Sequence, residues 1–269
     1  MAGFGHPRYL WDRHPLRRLL VRLVFPALAL LLAPAALLPQ AAGKFPPDSL
    51  INVQVFPRTT PVPEVTAAMR TFAMGLGVRC QYCHVGEEGM PLERFDFASD
   101  EKRTKLVARQ MMRMVQEINR RLDTLPGRST ATALEVSCAT CHRGVSKPTP
   151  LSTLIADAAL TAGADSAARA YRALRQRFHG RDAYDFGEGS LNAAALRVGR
   201  AGKYDEAFAL LRLNEEVFPN FAGTAVFRGN ISLMRGDTTA AEAAFREALR
   251  RDPSSNEARG RLRAIGRQP

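Results

Sequence analysis

The chain has 269 residues, of which 46% are hydrophobic and 24% are charged. This composition excludes a disordered tail, because the apolar residues suffice for the core of one large domain or two smaller ones. The formal net charge is +12, but the excess of basic residues is spread evenly along the sequence, so no basic block predicts nucleic-acid binding.

Residues 1–43 have the order of charged, apolar and small residues that is typical of an export signal. Five arginines lie ahead of or at the start of an apolar run over residues 23–38, and small residues including Ala41 and Ala42 follow the run. The run is shorter than the roughly 20 residues of a membrane span, which favours cleavage. An uncleaved membrane anchor through residues 19–38 is the alternative. In either case the rest of the chain is predicted to be periplasmic or on the outer face of the cytoplasmic membrane.

All four cysteines lie in two copies of C-x-x-C-H, the attachment signature of c-type haem. The copies comprise Cys80, Cys83 and His84, and Cys138, Cys141 and His142. Two thiols about one helical turn apart can bond to the two vinyl groups of one porphyrin, and the adjacent His becomes the proximal iron ligand. A structural zinc site would not need a His after each pair, and a thioredoxin-like site would need only one pair. The sequence therefore predicts two covalently bound haems.

Few residues are candidates for the sixth iron ligands. Beyond the targeting segment the chain has one further histidine, His179, predicted at a helix end in the C-terminal part. Methionine is the other common axial ligand. Two predicted helices, one ahead of each motif, carry five methionines: Met69 and Met74 on the first, and Met111, Met112 and Met114 on the second. Periodicity alone does not choose among them, because methionine is also a common core residue.

Both methionine-bearing segments carry signals of helix formation. Pro63 followed by Glu64 favours a helix start, and Ser99 is a candidate N-cap for a helix from about Asp100 to Arg121. The predicted fold class is therefore mainly α: a multihaem c-type cytochrome domain with few strands, followed by an α-helical repeat domain.

A Pro-rich stretch at residues 146–150 predicts a boundary between a dihaem domain, residues 44–150, and a helical domain, residues 151–269. The second part has an internal period of 34 residues, in which Gly202 recurs as Gly236. Its small, aromatic and proline residues resemble about two tetratricopeptide repeats with an extra helix ahead of them. Such helical arrays bind other proteins or support a structure.

The haem region resembles the cytochrome subunit of photosynthetic reaction centres over about residues 50–150. The matching stretches are Met69 through Leu76-Gly77-Val78-Arg79-Cys80, then Ala108-Arg109-Gln110-Met111 through Ile118-Asn119, then Cys138 through Gly144. In that family a helix carrying an axial methionine precedes each C-x-x-C-H. The resemblance implies that Met69 and Met111 ligate the two irons, opposite His84 and His142.

The chain also departs from this family. The full subunit has four haems in two similar halves, whereas this chain has one half. One haem of the family takes a histidine placed shortly after the Ile-Asn pair, but residues 122–125 contain none. The resemblance implies redox protein partners, among them a membrane-bound electron-transfer complex or a reaction centre.

Two covalent haems, each with a His and a Met ligand, predict an exported electron carrier and not an enzyme, because both axial positions are filled. One alternative is a dihaem peroxidase-like enzyme, which needs a haem with an open or labile sixth position. The other is a scaffold protein in which the haems are structural and the helical repeats carry the function.

Overall fold

The computed structural model describes residues 44–127 and 135–269, and helices are the main secondary structure of these residues. The α-helices are α1 Val62–Leu76, α2 Arg103–Leu122, α3 Cys138–His142, α4 Leu151–Phe178, α5 Glu188–Arg200, α6 Tyr204–Val217, α7 Ala222–Met234, α8 Thr238–Arg251 and α9 Asn256–Ala264. Two short 3-10 turns, Cys80–Tyr82 and Leu92–Arg94, and one isolated antiparallel bridge between Val85 and Asp96 complete the regular structure of these ranges. The predicted mainly α fold class is confirmed.

The predicted export signal, residues 1–43, lies outside the described residues. From residue 44 onward, apart from residues 128–134, the structure contains no helix that is both long enough and apolar enough to cross a membrane.

Helix α2 begins later than its sequence signals predict. The helix expected from about Asp100 starts at Arg103. The preceding loop takes up the side chains that would cap an earlier start. Asp96 accepts a hydrogen bond from the backbone N–H of Ser99 (2.8 Å), and the Ser99 hydroxyl accepts one from the N–H of Glu101 (3.1 Å). Local side-chain hydrogen bonds of this kind compete with helix formation. Here they keep residues 100–102 out of the helix.

Helix α1 ends at a glycine that lets it approach α3 closely. Gly77 has a φ of 64°, a left-handed conformation that favours glycine. The Gly144 N–H donates a hydrogen bond to the carbonyl oxygen of Gly75 (2.9 Å). A Cβ atom added to Gly77 would lie 2.0 Å from the carbonyl oxygen of Gly144. The methionine-bearing helix α1 is therefore joined by backbone contacts to the helix of the second C-x-x-C-H motif.

The apolar core lies in the C-terminal helices. Among the described residues ahead of Leu151, only Val65 and Val145 are buried apolar residues. Beyond that point α4, α5 and α6 pack together, and α7 packs against α8 and α8 against α9. Val145 belongs to the first of these cores, where it clusters with residues of α4 to α6. The last residues of the haem region are therefore anchored in the helical part.

Two features of the helical part explain its repeated pattern. Gly202 and Gly236, one period apart, each follow the first helix of a pair and have φ values of 77° and 87°. Gly229 lies directly beneath the buried Phe245 ring, and a Cβ atom there would lie 2.3 Å from that ring. The small residues of the pattern thus serve turns and close helix packing.

A buried polar network replaces apolar packing at one position of the first helix pair. The Asn214 side-chain amide donates hydrogen bonds to the Glu188 carbonyl oxygen (3.0 Å), to Asn192 Oδ1 (3.0 Å) and to Thr224 Oγ1 (2.9 Å). These bonds give the buried amide nitrogen its hydrogen-bond partners. Without them the buried N–H groups would lower the stability of the core. Asn214 thereby ties α6 to both α5 and α7.

Candidate haem sites

The first C-x-x-C-H motif folds as a single helical turn. The Cys83 N–H and the His84 N–H both donate hydrogen bonds to the Cys80 carbonyl oxygen, at 3.2 and 3.0 Å. This turn brings two thiols three residues apart to one side of the backbone. Cys80 is exposed and Cys83 is half-buried, and neither forms a disulfide. Burial raises the pKa of the Cys83 thiol, so it is protonated at neutral pH.

The imidazole of His84 is held by aromatic packing. Its ring lies edge-on to the Phe97 ring with the two centroids 4.9 Å apart, and Phe45 and Phe95 in turn pack against Phe97. Burial, together with the nearby charge of Lys105, lowers the pKa of His84 to about 4. The ring is therefore neutral at pH 7, which is the form that binds a metal ion.

The second motif is the short helix α3. Thr140 Oγ1 accepts a hydrogen bond from the N–H of Ser137 (3.0 Å) and fixes the start of the helix. The Nδ1 atom of His142 lies 2.9 Å from the carbonyl oxygen of Val145. Because a carbonyl oxygen only accepts, Nδ1 carries the ring proton and Nε2 keeps its lone pair for a ligand. Burial also raises the pKa of the Cys138 thiol.

Apolar side chains remain exposed on the helices that bear the methionines. Met74 on α1 is 72% exposed, and Met111 and Met114 on α2 are 39% and 52% exposed. Val107, exposed as well, shares one face of α2 with Met111 and Met114, because they are spaced at four and three residues. A flat, largely apolar porphyrin would cover such a face.

The structure places the predicted ligands on separate elements. Met69 is half-buried on α1 and Met111 lies on α2. The pairing of Met69 with His84 and of Met111 with His142 stays a prediction. His179 is exposed and caps the C-terminal end of α4, with its ring 6.0 Å from that of Phe186 at the edge of an aromatic cluster.

A cluster of buried charges that the sequence did not reveal lies beside the first motif. Lys105 and Arg109, one turn apart on α2, are each only 8% exposed. Arg109 Nη1 lies 2.7 Å from Asp100 Oδ1, and Lys105 Nζ lies 3.2 Å from the same oxygen. Asn52 adds a hydrogen bond to that carboxylate (2.9 Å) and accepts one from Arg109 through its carbonyl oxygen (3.0 Å).

The start of α2 also holds the first motif directly. Lys102 Nζ donates a hydrogen bond to the carbonyl oxygen of Gln81, and the Thr104 hydroxyl donates one to that of Tyr82. Gln81 and Tyr82 are the two residues between the motif cysteines. The shape of the first motif is therefore fixed from outside, by the helix that carries Met111.

The residues present fit two c-type haems. Each motif offers two thiols that form no disulfide, on one helical turn followed by a histidine, and α1 and α2 expose apolar side chains. In the ranges 44–127 and 135–269, no group of three or more His, Cys, Asp and Glu side chains is arranged to hold a metal ion.

A sequence profile of the photosynthetic reaction centre cytochrome c subunit family matches residues 39–173, half of the chain. The chain belongs to this family. The family match includes both C-x-x-C-H motifs and extends into α4, and it confirms the resemblance drawn from the motifs. Cytochrome c-554 of Chloroflexus aurantiacus is 36% identical over 93 residues, which are 34% of this chain and 20% of that protein. The matched part thus spans about a fifth of that relative's length.

Proposed function

We propose that this member of the reaction centre cytochrome family is an exported electron carrier with two covalent c-type haems. The observation that carries the proposal is the folding of both C-x-x-C-H motifs into helical turns, with a neutral imidazole in the first and one held by a backbone acceptor in the second. Each haem, when bound, supplies an iron that accepts and releases one electron. The protein's part is to hold, orient and shield that group.

The assignments follow the two motifs. The thiols of Cys80 and Cys83, and those of Cys138 and Cys141, form the covalent attachments. His84 and His142 would provide nitrogen ligands to the two irons, and Met69 and Met111 would provide sulfur ligands. A Met ligand raises the reduction potential above that of a bis-His haem. An iron held by both a histidine and a methionine would favour electron transfer over chemistry at an open coordination site.

The remaining parts of the chain supply export and docking. Residues 1–43 direct export or anchor the protein to the membrane, so it works in the periplasm or on the outer face of the cytoplasmic membrane. Residues 44–150 form the dihaem domain, and residues 151–269 form a tetratricopeptide-like domain that docks redox partners. The partners are redox proteins, among them a membrane-bound electron-transfer complex or a reaction centre.

The test is the haem stoichiometry and ligation of the full chain, produced in a bacterium that attaches c-type haem. The expected result is two covalent haems per chain by mass and by reduced absorption spectrum, and one in the variant Cys138→Ser/Cys141→Ser. The native reduced protein should not bind carbon monoxide and should not turn over peroxide. One haem, none, or ready carbon monoxide binding would contradict the proposal.

A further inference from the structure

Asn119, near the C-terminal end of α2, forms a pair of hydrogen bonds with one residue far along the chain. Its Nδ2 atom donates to the Val136 carbonyl oxygen (2.8 Å), and its Oδ1 atom accepts from the Val136 N–H (2.8 Å). An amide side chain can make both bonds, because it offers a donor and an acceptor side by side. We call this pair of bonds the Asn119 clamp.

The Asn119 clamp holds the chain just ahead of the second C-x-x-C-H motif. Val136 is followed by Ser137, whose N–H donates to Thr140 Oγ1, and α3 begins at Cys138. The entry to α3 is therefore fixed at two points, by its own threonine and by α2.

Helix α2 also carries the proposed sulfur ligand of the second haem. Met111 lies eight residues ahead of Asn119, which is about 12 Å along the helix. On the other side of the clamp, His142 lies six residues beyond Val136. Among the described helices, α3 packs closely against α1 but not against α2. The clamp thus ties α2 to the start of α3 without close packing between the two helices.

We propose that Asn119 is a positioning residue for the second haem site, which keeps the Met111 sulfur within reach of the iron that His142 would bind. This role rests on the proposed pairing of Met111 with His142. A ligand on a separate helix stays bonded only if supporting contacts hold it within about 0.5 Å of its place. Without the clamp α2 can shift relative to α3, and the sulfur leaves the iron.

The test compares Asn119→Ala with the parent protein, both as the haem-loaded full chain. Carbon monoxide is expected to bind none of the haem in the reduced parent and about half in the variant, because one of two irons loses its sulfur ligand. Redox titration should show a lower potential for one haem and an unchanged potential for the other. In a Met111→Leu background, Asn119→Ala should add no carbon monoxide binding, because the sulfur is already absent.

Amide hydrogen exchange tests the clamp without reference to haem. The Val136 N–H loses its acceptor in Asn119→Ala and should exchange at least about tenfold faster. The matched control is Gln116→Ala, which removes an exposed amide about one turn earlier on α2. The control should leave exchange at Val136 within about twofold of the parent and should not admit carbon monoxide.

A milder variant covers the case in which Asn119→Ala does not keep its second haem. Asn119→Asp retains an acceptor for the Val136 N–H but has no donor for the carbonyl oxygen. It should carry both haems and bind carbon monoxide in a smaller fraction of chains than Asn119→Ala does in a haem-loaded preparation. Loss of the second haem from both variants would overturn the proposal, because Asn119 would then act on attachment and not on ligation.

Two further results would overturn the proposal. Faster exchange at Val136 in Asn119→Ala, with carbon monoxide still excluded, would make the clamp a loop anchor alone. Unchanged exchange, or effects equal to those of Gln116→Ala, would mean that the clamp does not hold the chain.

The parent protein separates a failure of this role from a failure of the proposed function. A parent that carries one haem, or that binds carbon monoxide before any substitution, would remove the proposed electron carrier and the role of Asn119 with it. A parent with two haems closed to carbon monoxide, and an Asn119→Ala variant that is equally closed, would remove the role of Asn119 alone.

Discussion

At the scale of single residues, two histidines in identical motifs are fixed by different means. His142 donates from Nδ1 to the Val145 carbonyl oxygen, which sets both the tautomer and the ring plane. His84 is set by the edge-on contact with Phe97 and is kept neutral by burial. The two proposed iron ligands are therefore oriented by different contacts, a carbonyl oxygen for His142 and an aromatic ring for His84.

The assignment of Met111 can be tested against its neighbour on the same helix face. Met111→Leu is expected to lower the potential of one haem by on the order of 0.1 V, because a sulfur ligand is lost. Redox titration followed by absorbance measures the shift, and carbon monoxide should then bind that haem. Met114→Leu is the matched control and should change neither property. The opposite pattern would assign the ligand to Met114.

The buried Lys105 is expected to contribute to the stability of the haem region. Its ammonium group donates to the carbonyl oxygens of Phe97 (2.9 Å), Ala98 (3.0 Å) and Ser99 (2.7 Å). Lys105→Met should lower the free energy of unfolding by about 2 kcal/mol, since these half-buried carbonyl oxygens lose a charged donor, although that of Ala98 keeps a second donor in Asn52. Denaturant titration measures this, with Arg103→Met, an exposed site on the same helix turn, expected within about 0.5 kcal/mol of the parent. Equal losses would mean that the cluster has no special role.

The Asp100 carboxylate should make the protein sensitive to acid. The hydrogen bond from Arg109, followed by that from Asn52, holds the pKa of Asp100 well below its ordinary value. A depressed pKa adds stability above the pKa of the unfolded chain, about 3.9, and this contribution is lost as the pH falls further. The difference in unfolding free energy between the parent and Asp100→Asn should be constant near neutral pH and shrink below about pH 4. A difference that stays constant to lower pH, or that Asp182→Asn in an exposed loop reproduces, would rule out this origin.

The cysteines and histidines of the two motifs are easier to identify from the sequence than the residues that hold them in place. The cysteines and histidines are recognisable because covalent attachment needs them within five consecutive residues. The cluster around Asp100 is not recognisable from the sequence, because its members come from two distant segments. Asn52 contacts Asp100 and Arg109 only in the folded chain. Burial of Lys105 and Arg109 is equally hidden, since an arginine or lysine on a helix is ordinarily exposed.

At the scale of elements, the contact between α1 and α3 depends on one glycine. Gly77→Ala adds a methyl group that meets the Gly144 carbonyl oxygen, besides straining a positive φ. The expected cost is about 3 kcal/mol, with less haem attached at the second motif. Thermal unfolding and haem stoichiometry measure both effects.

The control for this variant is Gly89→Ala. Gly89 also has a positive φ, 82°, but nothing lies within 4 Å of an added Cβ atom. It should therefore show the conformational cost alone, about 1 kcal/mol. If the two variants were equally stable, the close approach of α1 and α3 would not matter.

Element existence follows from the sequence more reliably than element ends. Pro63 and the methionine-bearing pattern predict α1, and α2 is present as expected, but the capping competition at Asp96 and Ser99 shifts its first turn to Arg103. The C-terminal helix α9 lies inside the predicted helical domain, but the repeat pattern, which is matched only as far as Pro253, does not mark its ends. Its buried Ala258 and Leu262 close the second core.

At the scale of the whole molecule, buried apolar residues are distributed unequally between the C-terminal helices and the haem region. Buried apolar residues lie almost entirely from Leu151 onward, whereas α1 and α2 expose methionines. We expect haem attachment to contribute much of the stability of residues 44–127. In a variant with all four cysteines changed to Ser, amide hydrogen exchange in α1 and α2 should accelerate at least about tenfold.

The helices α5 to α8 are the internal reference for this experiment. Their exchange should stay within about twofold of that in the haem-loaded protein, because their core includes no haem ligand. Uniform acceleration through the chain would show that the two parts unfold as one unit. The mainly helical architecture followed from the sequence, but this imbalance did not, because burial depends on which helix faces meet.

The burial of Val145 bears on how the second motif is supported. Its side chain is held in the core of α4 to α6, and its carbonyl oxygen is the acceptor for His142. The position of that acceptor therefore depends on the packing of the C-terminal helices. The first motif instead takes its shape from the start of α2, whose exposed methionines lie further along the same helix. The two motifs therefore depend on different parts of the fold, the second on the core of the C-terminal helices and the first on the start of α2.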